Sequence, residues 1–317
     1  MAKHILLVDG NSIAHANHNG TALTVGGMQV QAVFGFLRSL RALLQATPGD
    51  REAIVLWDGS AEFRKALDPD YKGNRAPMDA KQEKHRAAFK KQTPFIEMAL
   101  KLLGVRQYRS PLLEADDLGA HFSRALAPAH QVTLVSGDKD WLQLITEDVT
   151  WFDPIRDRRC DLGNFLEFTG YHSPAAFVDG KCLQGDSSDN VSGIEGLGEK
   201  GAALLLAQWG SVQRFFDAVD AGTHVPKARK SKNATSPHPE QVLASPEGRA
   251  RFARNLALMD LSRAHKPEPG ELILTKAPAD ADRFTLLCER LAFASILRDR
   301  AMFLKAFNIS TTPQHAA

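Results

Sequence analysis

Three short apolar runs, each leading into acidic residues, constrain this chain more than any other feature. Residues 4–8 (HILLV) run into Asp9, residues 53–57 (AIVLW) into Asp58, and residues 132–135 (VTLV) into the SGDKD segment that carries Asp138 and Asp140. Continuous apolar stretches of this length, bounded by turns, mark strands buried on both faces of a parallel sheet. Helical period fills the intervals. Val30, Val33, Phe34, Leu37, Leu40 and Leu44 share one face of a helix expected at about 29–46, and segments 96–103 and 114–127 read likewise. Strands alternating with helices predict an α/β domain with a mostly parallel central sheet flanked by helices. From about residue 161 the pattern is helical with no convincing strand, and a closing helical stretch is expected at 283–306.

In open parallel sheets the ligand site lies outside the carboxyl ends of the strands, so Asp9, Asp58, Asp138 and Asp140 have a common place to converge. Glu114, Asp116 and Asp117 (EADD) open a helix, and Asp186 and Asp189 stand in GDSSDN. Taken singly, each acid has an ordinary use as an N-cap, a turn former or a complement to a helix dipole. Taken together, five separate places present acids to one crevice. Like charges so packed favour protonation unless cations compensate them. An all-oxygen set selects hard ions such as Mg²⁺ or Mn²⁺, and two such ions about 3.5–4 Å apart suit a phosphodiester.

Charge agrees. The chain has 39 Lys and Arg against 37 Asp and Glu. Set the nine clustered acids aside and 39 basic side chains face 28 acidic ones, an excess of 11. A basic skin around an acidic pit suits a polyanion. Residues 64–92 are strongly basic (Arg64, Lys65, Lys72, Arg75, Lys81, Lys84, Arg86, Lys90, Lys91) and read either as a solvated excursion or as a phosphate-facing element. Residues 192–203 (SGIEGLGEKGAA) place Gly196, Gly198 and Gly201 in a GxGxxG spacing, but no strand precedes them, which sets aside a dinucleotide site. A turn between two helices fits better, its backbone N–H groups facing a phosphate beside Lys200; a purely structural turn is the alternative. Residues 223–240, rich in Pro, Ser and Lys, read as a mobile loop. Cys160, Cys182 and Cys288 form no CxxC pair and read as buried small hydrophobes. No apolar run approaches the roughly 18 residues of a membrane span, and the N-terminus does not read as a leader, so a cytoplasmic protein is expected.

In order along the chain, VDGNS, WDG, YKGNR, EADD, SGDKD, GDSSDN and GIEGLGEKGA resemble the 5′ nucleases: flap endonucleases, bacteriophage 5′–3′ exonucleases and the N-terminal nuclease domain of bacterial DNA polymerase I. The resemblance runs from about residue 4 to 262, with RNLALMDL (254–261) as the family's returning helix. It implies a PIN-like 5′ nuclease core over 1–175, with a helical arch at about 64–95. A helical DNA-binding region over 176–317 would follow, with a helix–three-turn–helix at about 182–208. It implies Asp9, Asp58, Glu114 and Asp116 as ligands of a first metal ion, with Asp117, Asp138, Asp140, Asp186 and Asp189 serving a second. It places Lys72 on the scissile phosphate beside Arg75, both catalytic together with Asp9, Asp58 and Asp140, and gives Tyr71 to base stacking. Lys181, Gly196, Gly198 and Lys200 are implied as DNA contacts, and a potassium ion on backbone carbonyls often accompanies the turn in this family. The implied activity is metal-dependent hydrolysis of DNA near 5′ flaps, single-strand/duplex junctions or free 5′ ends, leaving 5′ phosphates. It would be carried out by a monomer in a bacterial or phage-infected cytoplasm. The sequence departs from the commonest family form at Ser187, Ser188 and Glu195, the last placing a negative charge near the expected phosphate site. Two other readings stand beside this one. A ribonuclease on a related carboxylate-rich fold is typically shorter and lacks both arch and glycine turn. A non-catalytic junction binder would have lost acids, and none is lost here.

Overall fold

The computed structural model describes residues 2–75, 79–229, 236–263, 265–268 and 270–310. Seven strands form one sheet: β1 (His4–Asp9), β2 (Arg51–Trp57), β3 (Arg106–Arg109), β4 (Gln131–Val135), β5 (Val149–Asp153), β6 (Arg158–Cys160) and β7 (Ile273–Thr275), in the spatial order β7-β3-β2-β1-β4-β5-β6. The inner pairs β3–β2, β2–β1, β1–β4 and β4–β5 are parallel, and both edges, β7 and β6, are antiparallel. The chain builds outward from β1 in one direction through β2 and β3, then in the other through β4 and β5. The end of β1 is therefore the switch point where a crevice opens, and Asp9 stands there.

Both faces of the sheet are covered, which is why the strands read as unbroken apolar runs. Ile5, Leu7, Ile54, Leu56, Val132 and Leu134 turn to one face with Trp141, Trp151 and the helices that follow residue 174. Leu6, Val8, Ala53, Val55 and Trp57 turn to the other, against the helices Gln31–Ala46 and Ala80–Leu102. This is the period-two alternation of a strand with a core on each side.

The expected elements at 4–8, 53–57, 132–135, 29–46 and 114–127 are present within a few residues. Strands β3, β5, β6 and β7 were not legible as such. β3 reads RQYR and carries little apolar signal; its buried Gln107 is satisfied by the Trp57 indole N–H at 3.0 Å and by the Glu97 carbonyl, to which it donates. β7 corrects the expectation of no strand beyond 161, as does a short ribbon pairing Gly185–Asp186 with Val191–Ser192. After β7 the chain returns to the core. Phe284, Leu287, Cys288, Phe293, Phe303 and Leu304 pack into the second-face cluster. The expected closing helix at 283–306 is three shorter helices: Ala281–Arg290, Ala294–Arg298 and Arg300–Lys305. The expected helix at 96–103 is the end of the 23-residue helix Ala80–Leu102, which starts at an Asp79 cap within the basic excursion. Of the loop expected at 223–240, residues 230–235 lie outside the described residues, and residues 239–244 form a helix. All three cysteines are buried and free. Among the described residues no helix is long and apolar enough to cross a membrane.

Candidate active site

Asp9 ends β1 and caps the helix Gly10–His18. One carboxylate oxygen accepts the Ser12 N–H at 2.9 Å and the other accepts the Ser136 hydroxyl at 2.7 Å. Gly10 must be glycine: a Cβ there would meet the Trp57 ring at 2.6 Å. Burial, then the neighbouring charge of Asp58, pushes the Asp9 carboxyl up to about 7. Asp58, just past β2, accepts from the Ala115 backbone N–H at 2.8 Å and from the Asn11 amide at 2.7 Å, and burial raises it as well. Asp116 accepts the Trp141 indole N–H at 2.6 Å; burial, then Asp138 and Asp9, drive it well above the ordinary carboxylate range. Asp9 ends a strand, Asp58 follows one and Asp116 lies in the first turn of the helix Ala115–Leu126, and hydrogen bonds aim each of them into one opening.

The opposite wall is built differently. The segment Gly185–Asn190 lies against residues 70–75 of the basic excursion. Lys72 donates its backbone N–H to the Asp189 carbonyl at 2.9 Å, Asn74 donates to the Ser187 carbonyl at 2.7 Å, and Asn190 donates to the Asp70 carbonyl at 2.9 Å. Lys72 takes a left-handed backbone conformation (φ +58°) at this junction. Its ammonium pairs with Glu114 and lies 3.7 Å from Asp189, while Arg75 pairs with Asp189. Lys181 lies 2.9 Å from both Asp140 and Asp186. Burial opposes ionisation of Asp186, but Lys181 and Ser188 outweigh it and hold the group at about 2. Burial likewise opposes Glu114, yet Lys72 and Arg64 bring it below its usual value. Asp140 sits between the two cases: burial, then Asp138, raise it to about 6 against the pull of Lys181.

Eight of the nine expected acids (Asp9, Asp58, Glu114, Asp116, Asp138, Asp140, Asp186 and Asp189) line one cleft of about 700 Å³, together with Lys72, Arg75 and Lys181. The ninth, Asp117, does not. It is wholly buried, clasped by Arg64 at 2.6 Å and 2.8 Å, and it accepts the Glu114 N–H at 3.0 Å in a capping box. The EADD segment carried no signal for this, because adjacent positions of a helix point their side chains in different directions. Tyr71 departs from expectation too. It is 5% exposed, and its hydroxyl donates to Glu114 at 3.1 Å or Asp189 at 3.0 Å, so it is a strut inside the wall rather than a platform for a base. Among the described residues no three His, Cys, Asp or Glu side chains are gathered as a ligand cluster. Lys72, Arg75 and Lys181 instead pair with Glu114, Asp189, Asp140 and Asp186.

Residues missed in the sequence complete the site. Ser136, Trp141 and Asn11 orient acids, and Arg64 locks Asp117 and Glu114 from below. Their hydroxyl, indole and amide groups give no pattern of their own in a sequence. The glycine turn lies apart from the cleft. Gly196 takes φ +81°, Gly198 caps the helix Glu199–Trp209, and Lys200 is exposed in that helix's first turn.

A mostly parallel sheet with acids at its switch point, a basic excursion beside them and a helical second region define a PIN-like 5′ nuclease core. Residues 4–169 match the family described as 5′-3′ exonuclease, N-terminal resolvase-like domain, and residues 172–275 match 5′-3′ exonuclease, C-terminal SAM fold. The chain belongs to the 5′–3′ exonuclease family. It is 31% identical over 304 residues to the thermostable DNA polymerase I of Thermus filiformis, covering 94% of this chain and 33% of that protein. It is 30% identical over 255 residues to DNA polymerase I of Bacillus subtilis (strain 168), covering 77% and 27%. The chain thus spans a third or less of these curated relatives. Among solved structures, the bacteriophage T5 D15 flap endonuclease in a pseudo-enzyme-product complex with DNA and metal ions aligns with a TM-score of 0.67 at 20% identity, covering 96% of this chain and all of that one. Human GEN1 in complex with Holliday junction DNA aligns with a TM-score of 0.53 at 15% identity, covering 93% and 72%.

Proposed function

We propose that this chain is a divalent-metal-dependent 5′ nuclease that hydrolyses DNA at 5′ flaps, single-strand/duplex junctions and free 5′ ends, leaving 5′ phosphates. The observation that carries the reading is the convergence of eight carboxylates from five separated segments in one cleft beside Lys72 and Arg75. The donor set fits hard cations. Every candidate ligand is a carboxylate oxygen, which suits Mg²⁺ or Mn²⁺. Among the described residues, the ion pairs of the cleft go to Glu114, Asp140, Asp186 and Asp189 and none to Asp9, Asp58, Asp116 or Asp138. Those four therefore retain the strongest demand for an outside cation. Asp9, Asp58, Glu114 and Asp116 would hold one ion, and Asp138, Asp140, Asp186 and Asp189 would serve a second. Bound there, such ions would supply Lewis-acid activation of water and neutralise charge on the phosphate.

The protein's own part is orientation and charge. Ser136, Ala115 and Trp141 fix the carboxylates. Lys72 and Arg75 aim the phosphodiester and meet the charge that develops on it, which requires them to exchange a carboxylate for the substrate. The N–H groups at Gly196–Gly198 and the start of the helix Glu199–Trp209 would grip duplex phosphate behind the cut without reading bases, with a potassium ion on nearby carbonyls. The enzyme would act as a monomer.

Cleavage of a 5′-labelled flap and a matching blunt duplex in Mg²⁺ tests the reading. The wild type should cut near the flap junction and Asp140→Asn should not. Lys72→Ala should lower turnover by about 100-fold while changing binding far less, since its contact strengthens in the transition state. Products bearing 3′ phosphates, or equal losses in turnover and binding for Lys72→Ala, would defeat it.

A further inference from the structure

Between Asp220 and Glu240 the chain carries Lys227, Arg229, Lys230 and Lys232 and not one acid. Nothing in the cleft uses this segment, yet its described flanks are firmly held. Glu240, only 5% exposed, accepts the Lys227 backbone N–H at 3.0 Å and lies 2.9 Å from His224 Nε2 and 2.8 Å from Lys227 Nζ. The His224 ring packs edge-on against Trp209 and Phe215, with centroids 4.8 Å and 5.7 Å away. Lys227 Nζ also reaches the Gln208 side chain of the helix Glu199–Trp209 at 3.5 Å. At the far end Pro239 sits over the glycine turn, where a Cβ on Gly196 would come within 2.8 Å of its ring. Arg229 donates to the Pro237 carbonyl at 3.2 Å, drawing the two flanks together. The result is a basic strip anchored to the same helix and turn that were assigned above to duplex phosphate. Lys227 remains 55% exposed, Arg229 is exposed, and among the described residues no carboxylate pairs with Arg229.

We propose that residues 224–229 form a second phosphate-binding strip, with the backbone of duplex DNA as its partner, continuing the grip of the glycine turn further along the duplex. The inference rests on the DNA-binding reading above. Charge complementarity and continuity with the turn carry it. Among the described residues the single carboxylate Glu240 meets both His224 and Lys227 and none meets Arg229, so the strip keeps an excess of positive charge that a polyanion compensates, and contacts of this kind add affinity without sequence preference. The buried Glu240 is the positioning residue: it fixes the strip through a backbone N–H, a ring nitrogen and an ammonium, leaving Arg229 to face solvent.

The test is binding of a flap substrate with a long duplex arm, followed by fluorescence anisotropy across a salt series with EDTA present so that nothing is cut. Arg229→Gln, which leaves the Glu240 clamp intact, should reduce the slope of log K against log salt by about 0.9, and Lys227→Gln/Arg229→Gln by about 1.8. A slope for Arg229→Gln equal to that of a steeply salt-dependent wild type overturns the strip and leaves the nuclease reading standing. A wild type that fails to bind duplex overturns both. Should the double variant not fold, Arg229→Gln alone decides.

Discussion

On the core side of the cleft, Asp9 (buried), Asp116 (half-buried) and Asp58 (exposed to the opening) are carboxylates held by hydrogen bonds from Ser12, Ser136, Ala115, Asn11 and Trp141. On the side facing the helical region, Asp186 and Asp189 meet Lys181, Arg75 and Lys72. The first set is driven upward in pKa, with Asp9 at about 7, while Asp186 is held at about 2. The same residue type at the rim of one cleft thus serves two ends. The core acids form a concentration of negative charge that folding alone leaves poorly compensated. The loop acids are neutralised from within and tie the basic excursion to the second region. Asp117 extends the second pattern to its limit, a buried acid wholly satisfied by Arg64.

The hardest blow to this contrast is Arg64→Met. It strands Asp117 and deprives Glu114 of a partner, and removing one member of a buried pair costs about 3–5 kcal/mol. Urea unfolding should show the loss, and a smaller drop than about 1 kcal/mol would mean that Asp117 is not held as described. Asp9→Asn probes the other side. Asparagine keeps the cap, so turnover should fall by at least about 100-fold while the metal-free protein is not destabilised. Its pH dependence has a definite sign. A carboxyl raised to about 7 in the fold is favoured in its protonated form, so its contribution to stability is present at low pH and is lost as pH rises toward 7. In EDTA the melting temperature of Asp9→Asn should exceed that of wild type by a margin that widens from about pH 4 to pH 8; a margin that narrows over that range would refute the assignment. Over the same range Mn²⁺ affinity of the wild type should rise with pH and release protons, since ligands must be ionised to bind.

Asp189→Asn is the gentlest of the three and should move stability the opposite way from Asp9→Asn. It weakens the contacts with Arg75, Lys72 and Tyr71, for a loss of about 1–3 kcal/mol in metal-free protein. Asp186 follows the loop pattern with pH. A carboxyl held at about 2 stabilises the fold at neutral pH and gives up that contribution as pH falls from its ordinary value of 3.8 to about 2. If Asp189→Asn proved neutral or stabilising in differential scanning calorimetry, the two sides of the cleft would not differ as argued.

Much of this was legible before any coordinates. The apolar runs at 4–8, 53–57 and 132–135 located the inner strands, because a strand buried on both faces leaves an unmistakable pattern. The acids that follow them fall at the cleft for the same topological reason. The polar strand β3, the edge strands β6 and β7 and the return of residues 281–305 to the core were not legible, since their pairing depends on neighbours distant in sequence. Arg64 looked like one more cation of the basic excursion, and burial against Asp117 turned it into a brace beneath the cleft.

By itself the sequence determined the family, the inner sheet and the inventory of acids, because motif order and unbroken apolar runs are local properties of the chain. Only the tertiary structure decided which acids face the cleft and which are already satisfied. Asp116 and Asp117 are adjacent in sequence and chemically identical. One turns to the opening beside Trp141, and the other turns inward to a guanidinium contributed from 53 residues away. The state of a carboxylate depends on its burial and on the charges within a few ångströms, and those are set by the packing of distant segments.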